Sequence, residues 1–161
     1  MGAAWFVPEY KLVNNADEEI AAVKALDAHQ MALVDKRFES ELSGLNIISD
    51  STATIEMTSY KPNILTYKSK TASEQLAVFS EMYFADGWQA YVDGKEVPHF
   101  RADWTLRAMR IPAGEHEIVF KFEPHNYYLS TTIATASSGV LVLLLFGIIG
   151  LGVFRRKKAD K

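Results

Sequence analysis

The strongest constraint on this chain lies near its C-terminus. From Leu129 to Phe154 no side chain is charged, and Arg155, Arg156, Lys157 and Lys158 follow at once. Crossing a hydrocarbon layer of ~30 Å takes roughly 20 helical residues. A backbone in lipid must satisfy its own N–H and C=O groups, which a helix does. The alternative, a core helix of a soluble protein, is seldom this long and apolar on every face. The sequence therefore predicts a transmembrane helix over 129–154. Its basic tail, 155–161, is expected in the cytoplasm, because Lys and Arg favour the inner side. Tyr127 and Tyr128 precede the run, where aromatic rings suit the headgroup layer. Residues 1–128 then form an extracytoplasmic domain. Ser138, Gly139, Gly147 and Gly150 leave room for neighbouring helices to pack closely.

Charge divides in the same way. The tail holds five basic residues and one acidic residue, whereas the rest of the chain holds twelve basic and nineteen acidic, a net −7. Nucleic acid needs a basic footprint, so it is not an expected partner. The chain has no cysteine, which excludes a disulfide framework, a CxxC redox pair and a thiolate zinc site. The opening Met1 to Pro8 has neither a basic n-region nor an apolar core of signal-peptide length. An exported domain needs such a signal or an earlier membrane helix. The expectation is thus that the chain is the C-terminal piece of a larger membrane protein, with the bilayer and upstream transmembrane helices as partners.

Before the apolar run, the patterning reads as a soluble β-rich domain. Trp5-Phe-Val7 is a short strand. Asn14 and Asn15 followed by Asp17, Glu18 and Glu19 mark a helix start, with the helix expected to end near His29. Met31–Phe38 reads as a strand. From Ser51 the period is two: Ala53, Ile55 and Met57 alternate with Thr54, Glu56 and Thr58. Lys61-Pro-Asn63 is a turn before Ile64–Lys68. Leu76, Val78, Ser80, Met82 and Phe84 form one face of the next strand. Asp93-Gly94 between Trp88–Val92 and Lys95–Val97 is a type I′ hairpin signal. Thr105–Ile111 and the His116, Ile118, Phe120, Phe122 face complete the set. The predicted fold class is mainly β: an antiparallel β-sandwich, jelly-roll or Ig-like, with a short N-terminal helix and one C-terminal transmembrane helix.

An ordered set of motifs then stands out: Ala4-Trp-Phe-Val7, Asn14-Asn-Ala-Asp-Glu-Glu19, Tyr60-Lys-Pro-Asn63, Leu76-Ala-Val-Phe-Ser-Glu-Met-Tyr83, Gly87-Trp-Gln-Ala-Tyr-Val-Asp-Gly-Lys-Glu96, Leu106-Arg-Ala-Met109 and Ile111-Pro-Ala-Gly-Glu-His-Glu117. In this order they resemble the C-terminal region of the bacterial YfhO family of multi-spanning membrane proteins. The resemblance implies a parent of the lipid-sugar-dependent, C-type membrane glycosyltransferase class. Relatives in Gram-positive bacteria are linked to decorating lipoteichoic acid with sugars. It also implies that the catalytic carboxylates sit in an early extracytoplasmic loop outside this chain, so no residue here inherits a catalytic role.

The residues themselves agree with that expectation. His29, His99, His116 and His125 lack ligand-like spacing, and there is no GxSxG, HExxH or P-loop. No metal or cofactor is expected. His116 shares its face with Ile118, which reads as a satisfied core histidine. Asp86 and Asp93 stand beside glycines in turns, where turn chemistry accounts for them. Tyr83, Trp88, Tyr91 and Trp104 are the candidate glycan-contacting residues. Flat rings can stack on sugar, although large aromatics in a sandwich are usually core. Alternation sets Trp88 and Tyr91 on opposite faces. Arg101, Asp103, Arg107 and Arg110 read as solvated strand positions that could also supply polar contacts. Two function classes remain open: a non-catalytic accessory domain of a membrane glycosyltransferase, or a membrane-anchored carbohydrate-binding or interaction module.

Overall fold

A computed structural model describes the backbone of residues 2–159 and, within the terminal helix, the side chains of residues 130–147. The chain divides into two compact units, 1–123 and 124–161.

The first unit is a two-sheet β structure. Strands β1 (Ala4–Val7), β2 (Glu9–Val13), β3 (Met31–Asp35), β6 (Gln75–Met82), β9 (Phe100–Ala102) and β10 (Leu106–Ile111) make a six-stranded sheet in the order β1-β6-β10-β9-β3-β2. Strands β4 (Thr54–Lys61), β5 (Ile64–Thr71), β7 (Trp88–Val92), β8 (Lys95–Val97) and β11 (Gly114–Phe122) make a five-stranded sheet in the order β4-β5-β11-β7-β8. The predicted mainly-β class with its short helix is therefore observed. One pairing departs from the antiparallel rule: β2 and β3 run parallel. Parallel strands need a crossover, and helix α1 (Ala16–Val23) supplies it.

Local chemistry explains where these elements end. Asn15 accepts from Glu18 N at 2.9 Å, while Glu18 accepts from Asn14 N at 3.0 Å, so the two side chains cap α1 reciprocally. The helix stops at Val23 and does not run on toward His29. Asp27 bends the chain instead, its carboxylate accepting from His29 N at 3.0 Å and its carbonyl from Gln30 N and Met31 N. The strand expected to reach Phe38 likewise stops at Asp35. Asp35 accepts from Arg37 N at 2.9 Å and caps a 3₁₀ segment, Lys36–Leu42. The Asp93-Gly94 turn has φ of 51° and 80°, as a type I′ turn requires.

The core has two parts. Between the sheets, Tyr67, Phe79 and Phe120 pack edge to face with centroids 4.9 to 6.1 Å apart, beside Leu65, Ile118, Met109 and Ile111. A second cluster joins Val7, Val34, Leu76, Val78, Phe100 and Ala108 to Leu42, with Phe38, Leu45 and Ile47 packed against it. The six-stranded sheet is thus buried on both faces. That is why Gln75–Phe79 is buried without a break, where simple alternation gave only Leu76 and Val78 a buried face.

The second unit contains helix α2 (His125–Ala159). Its stretch Ser130–Gly147 has a mean hydropathy of 1.6 and is long and apolar enough to cross a membrane. Ser137 and Ser138 hydrogen-bond to the carbonyls four residues back, at 2.8 and 2.9 Å, which removes their polarity from an apolar surround. Tyr127, Tyr128, Arg155, Arg156, Lys157 and Lys158, expected at the membrane interface, lie outside the residues whose side chains are described.

Candidate functional site: a cleft at the end of the sandwich

The four aromatic candidates do not share one surface. Tyr83 follows β6, where its N–H donates to Thr105 O at 2.7 Å and its ring packs edge-on against Phe38 at 5.7 Å and His99 at 5.4 Å. Trp88 opens β7 and lies over the Arg107 guanidinium at 4.2 Å and beside Phe122 at 5.4 Å. Tyr91 is on the outer face of the five-stranded sheet, where its hydroxyl donates to Glu123 at 3.0 Å and Lys121 sits over its ring. The alternation that opposes Trp88 to Tyr91 is thus observed. Trp104 lies in the β9–β10 turn at φ 73°, with Arg101 over its ring at 5.5 Å.

Tyr83 and Trp88 come to one end through Arg107, whose Nε donates to Met82 O at 2.9 Å while its guanidinium stacks on Trp88. There the β6–β7 connection meets the β8–β9 connection around an open cleft of ≈ 530 Å³. It is lined by Tyr83, Ala85, Gln89, Glu96, Val97, Pro98 and His99. Arg107 itself is only 2 % exposed, so the reading of it as a solvated strand position is corrected. Alternation points it between the sheets, and the faces of Trp88 and Phe120 replace its water. Burial lowers its pKa, yet an Arg stays charged in proteins.

The electrostatics of the cleft follow from this. Burial, with the Arg107 charge adding to it, pushes His99 down to about 4, so its imidazole is neutral at ordinary pH. Its Nε2 is buried without a protein partner. Burial also raises the Tyr83 hydroxyl. The wall therefore combines a neutral ring nitrogen, an un-ionised phenol, the Gln89 amide, the Glu96 carboxylate and the apolar Val97–Pro98 step. Hydrolysis of a glycosidic bond ordinarily uses two carboxyl groups across the bond, and Glu96 is the single one in this lining. Such a surface can hold a polyhydroxylated ligand by hydrogen bonds and apolar contact. The side chains lining it supply one carboxyl group and not two.

A second concavity, of ≈ 470 Å³, lies on the outer face of β4, β5 and β11 and includes Glu56, Lys68, Lys70, Glu115 and Glu117. Its charges are matched across the strands, with Lys70 and Glu115 at 2.6 Å. That is the arrangement of a solvated sheet face. His116 also lines it, near the N-terminal end of β11 and not in the core. Its Nδ1 lies 2.6 Å from Asp93 Oδ2 and its Nε2 3.1 Å from Ala113 O. Asp93 raises the His116 pKa, and His116 lowers that of Asp93.

A further polar cluster joins α1 to the β9–β10 turn. Glu19, fully buried, accepts from Arg101 at 2.7 Å and from Trp104 N at 2.9 Å. Asp103 accepts from Leu33 N at 2.8 Å, and burial pushes its carboxyl up to about 6. Among the described residues no group of His, Cys, Asp or Glu is arranged to hold a metal ion.

Sequence reasoning did not single out Gln89, Glu96 or His99 for the cleft. The signal was the pair of turns flanking β7 and β8, which bring both connections to one sheet end. Neither a curated protein nor a solved structure matches the chain. Residues 23–134 match the family described as bacterial membrane protein YfhO, and the matched stretch runs from the end of α1 through the β domain into the apolar helix. The match covers well over half of the 161 residues, and the chain belongs to the YfhO family of bacterial membrane proteins.

Proposed function

We propose that this chain is the C-terminal accessory domain and last membrane helix of a multi-spanning YfhO-type protein, a lipid-sugar-dependent glycosyltransferase acting on cell-envelope glycopolymers. The β domain lies outside the cytoplasm and does not itself catalyse. It presents the Tyr83–His99 cleft to a glycan segment of the acceptor, and the helix fixes it to the bilayer beside the upstream helices. Residues 1–128 are the outer domain, 129–154 the span and 155–161 the cytoplasmic tail.

The observation that carries this reading is the character of the cleft. It offers neutral donors and acceptors with an apolar step, and one carboxylate in place of the pair that hydrolysis of a glycosidic bond ordinarily uses. Tyr83 and Trp88 support the binding end, while Tyr91 and Trp104 are left for contacts on other surfaces of the domain. The test is sugar transfer in membranes carrying the whole polypeptide. Gln89→Ala and Glu96→Ala should raise the acceptor KM and leave turnover at saturating acceptor nearly unchanged. Turnover of a lipid-linked sugar by the 161-residue chain alone would contradict the non-catalytic assignment.

A further inference from the structure

Most large apolar side chains exposed on the β domain gather at one end. Tyr60 is 66 % exposed, Met82 70 %, Phe84 51 % and Phe122 36 %. Ile20 and Ile48 are exposed singly elsewhere, which is ordinary for a soluble surface. The first four are held together by the ladder. Tyr60 ends β4 beside the turn whose Asn63 O accepts from Phe122 N at 2.9 Å. Phe122 pairs with Trp88, and Trp88 N donates to Phe84 O at 3.4 Å. Met82 O holds the Arg107 that stacks on Trp88. Gly87 makes the close approach possible, because a Cβ there would collide with the Phe122 ring.

The same end is where the chain leaves the domain. Glu123 and Pro124 are the only residues between β11 and the helix that begins at His125. An extended chain reaches at most ~3.6 Å per residue, so two residues make a short tether. The apolar stretch begins five residues later, at Ser130. Along the chain, that end of the domain therefore has the shortest path to a membrane that the stretch crosses.

We infer that the Tyr60–Met82–Phe84–Phe122 end of the β domain is seated in the headgroup layer of the bilayer that Ser130–Gly147 crosses. Tyr and Phe rings suit the interface, where one part of the ring is apolar and another is wet. Lys61 and Lys121 at this end are offset by Asp86 and Glu123, so attachment is apolar and neutral lipid suffices. The seat brings the Tyr83–His99 cleft close to the membrane surface, whichever side the domain occupies. The inference rests on the span alone and not on glycan transfer.

The chain has no cysteine, so single-site labels are clean. Nitroxide labels at Tyr60→Cys, Phe84→Cys, Ala113→Cys and Leu143→Cys can be placed in the full chain in phosphatidylcholine vesicles. Ala113 lies at the far end of the nine-residue β11, roughly 30 Å from Phe122 at the strand rise. Collision with oxygen against a water-soluble nickel chelate reports depth. Tyr60 and Phe84 labels should favour oxygen several-fold over the Ala113 label, with the Leu143 label fully lipid-protected. Labels at Tyr60 and Phe84 as aqueous as that at Ala113, with Leu143 protected, would overturn the seat and leave the span standing. An aqueous Leu143 label would overturn the span and the seat together.

Discussion

Glu19 and Arg101 meet at 2.7 Å although 82 residues separate them, and the Glu19 side chain is fully buried. The same carboxylate accepts from Trp104 N. One buried charge therefore fastens α1 to a β9–β10 turn in which Asp103 and Trp104 both hold positive φ. Arg101 is partly exposed and has a second acid, Asp35, at 3.7 Å, so removing Glu19 leaves mainly the Trp104 N–H without its partner, at a cost of about 1–3 kcal/mol. Glu19→Ala should lower stability by that order, and Glu19→Gln by less, because the amide oxygen still accepts from Trp104 N. Denaturant unfolding of the full chain in detergent, followed by tryptophan fluorescence, measures both.

Asp103 gives a pH prediction. Burial raises its carboxyl from 3.8 to about 6, against the Leu33 N–H bond that lowers it, and the Glu19 charge adds to the rise. The folded state thus favours the protonated form. That contribution to stability is complete below the unfolded value of 3.8 and is lost as pH rises through about 6. Asp103→Asn keeps an acceptor for Leu33 N and tolerates positive φ. At pH 7.5 it should be more stable than the native chain by about 1–3 kcal/mol, and the gap should shrink toward pH 4. A constant difference between the two across that range would contradict the assignment.

The hairpin makes a simpler demand. Gly94 has φ 80° with open space around it, so strain and not collision opposes a side chain there. Gly94→Val should cost about 1–3 kcal/mol, whereas Lys95→Ala on the exposed strand should change little. Thermal midpoints that move equally for the two variants would count against a type I′ turn.

How far the sequence could be read depended on where each signal was local. The Asp93-Gly94 turn and the Asn14–Glu19 cap declare themselves within a few residues and the apolar run within one continuous stretch, and the observed elements follow them. The ends of α1 and β3 did not, because Asp27 and Asp35 divert the chain through side-chain bonds that compete with the regular ladder. Strands β2 and β9 were missed: Glu9–Val13 is stabilised by a parallel partner beyond α1, and Phe100–Ala102 is three residues long. Arg107 was read as solvated because its inward environment, Trp88 and Phe120, comes from the other sheet. For the same reason the cleft was only partly legible, with Tyr83 and Trp88 visible as aromatics and His99 visible only once β8 and β9 were placed.

Trp104 should behave differently from the cleft residues. Trp104→Ala removes a half-buried ring packed over Arg101 and should mainly lower stability, by about 1–3 kcal/mol. Gln89→Ala should instead weaken binding of teichoic-acid or glycan fragments roughly three- to tenfold, the worth of one hydrogen bond, without moving the thermal midpoint. Fluorescence titration of each variant, paired with its melting curve, separates the effects. A Trp104→Ala chain of native stability that no longer responds to glycan would move the binding surface to the β9–β10 turn.

The central claim is that the β domain stands outside the cytoplasm, on a helix whose basic end is inside. The most direct measurement is labelling of Lys95→Cys, an exposed position at the β7–β8 hairpin, with a membrane-impermeant maleimide in cells carrying the protein. Labelling of intact cells equal to that of permeabilised cells is the predicted result. Labelling that appears only after permeabilisation would place the domain in the cytoplasm and contradict the account.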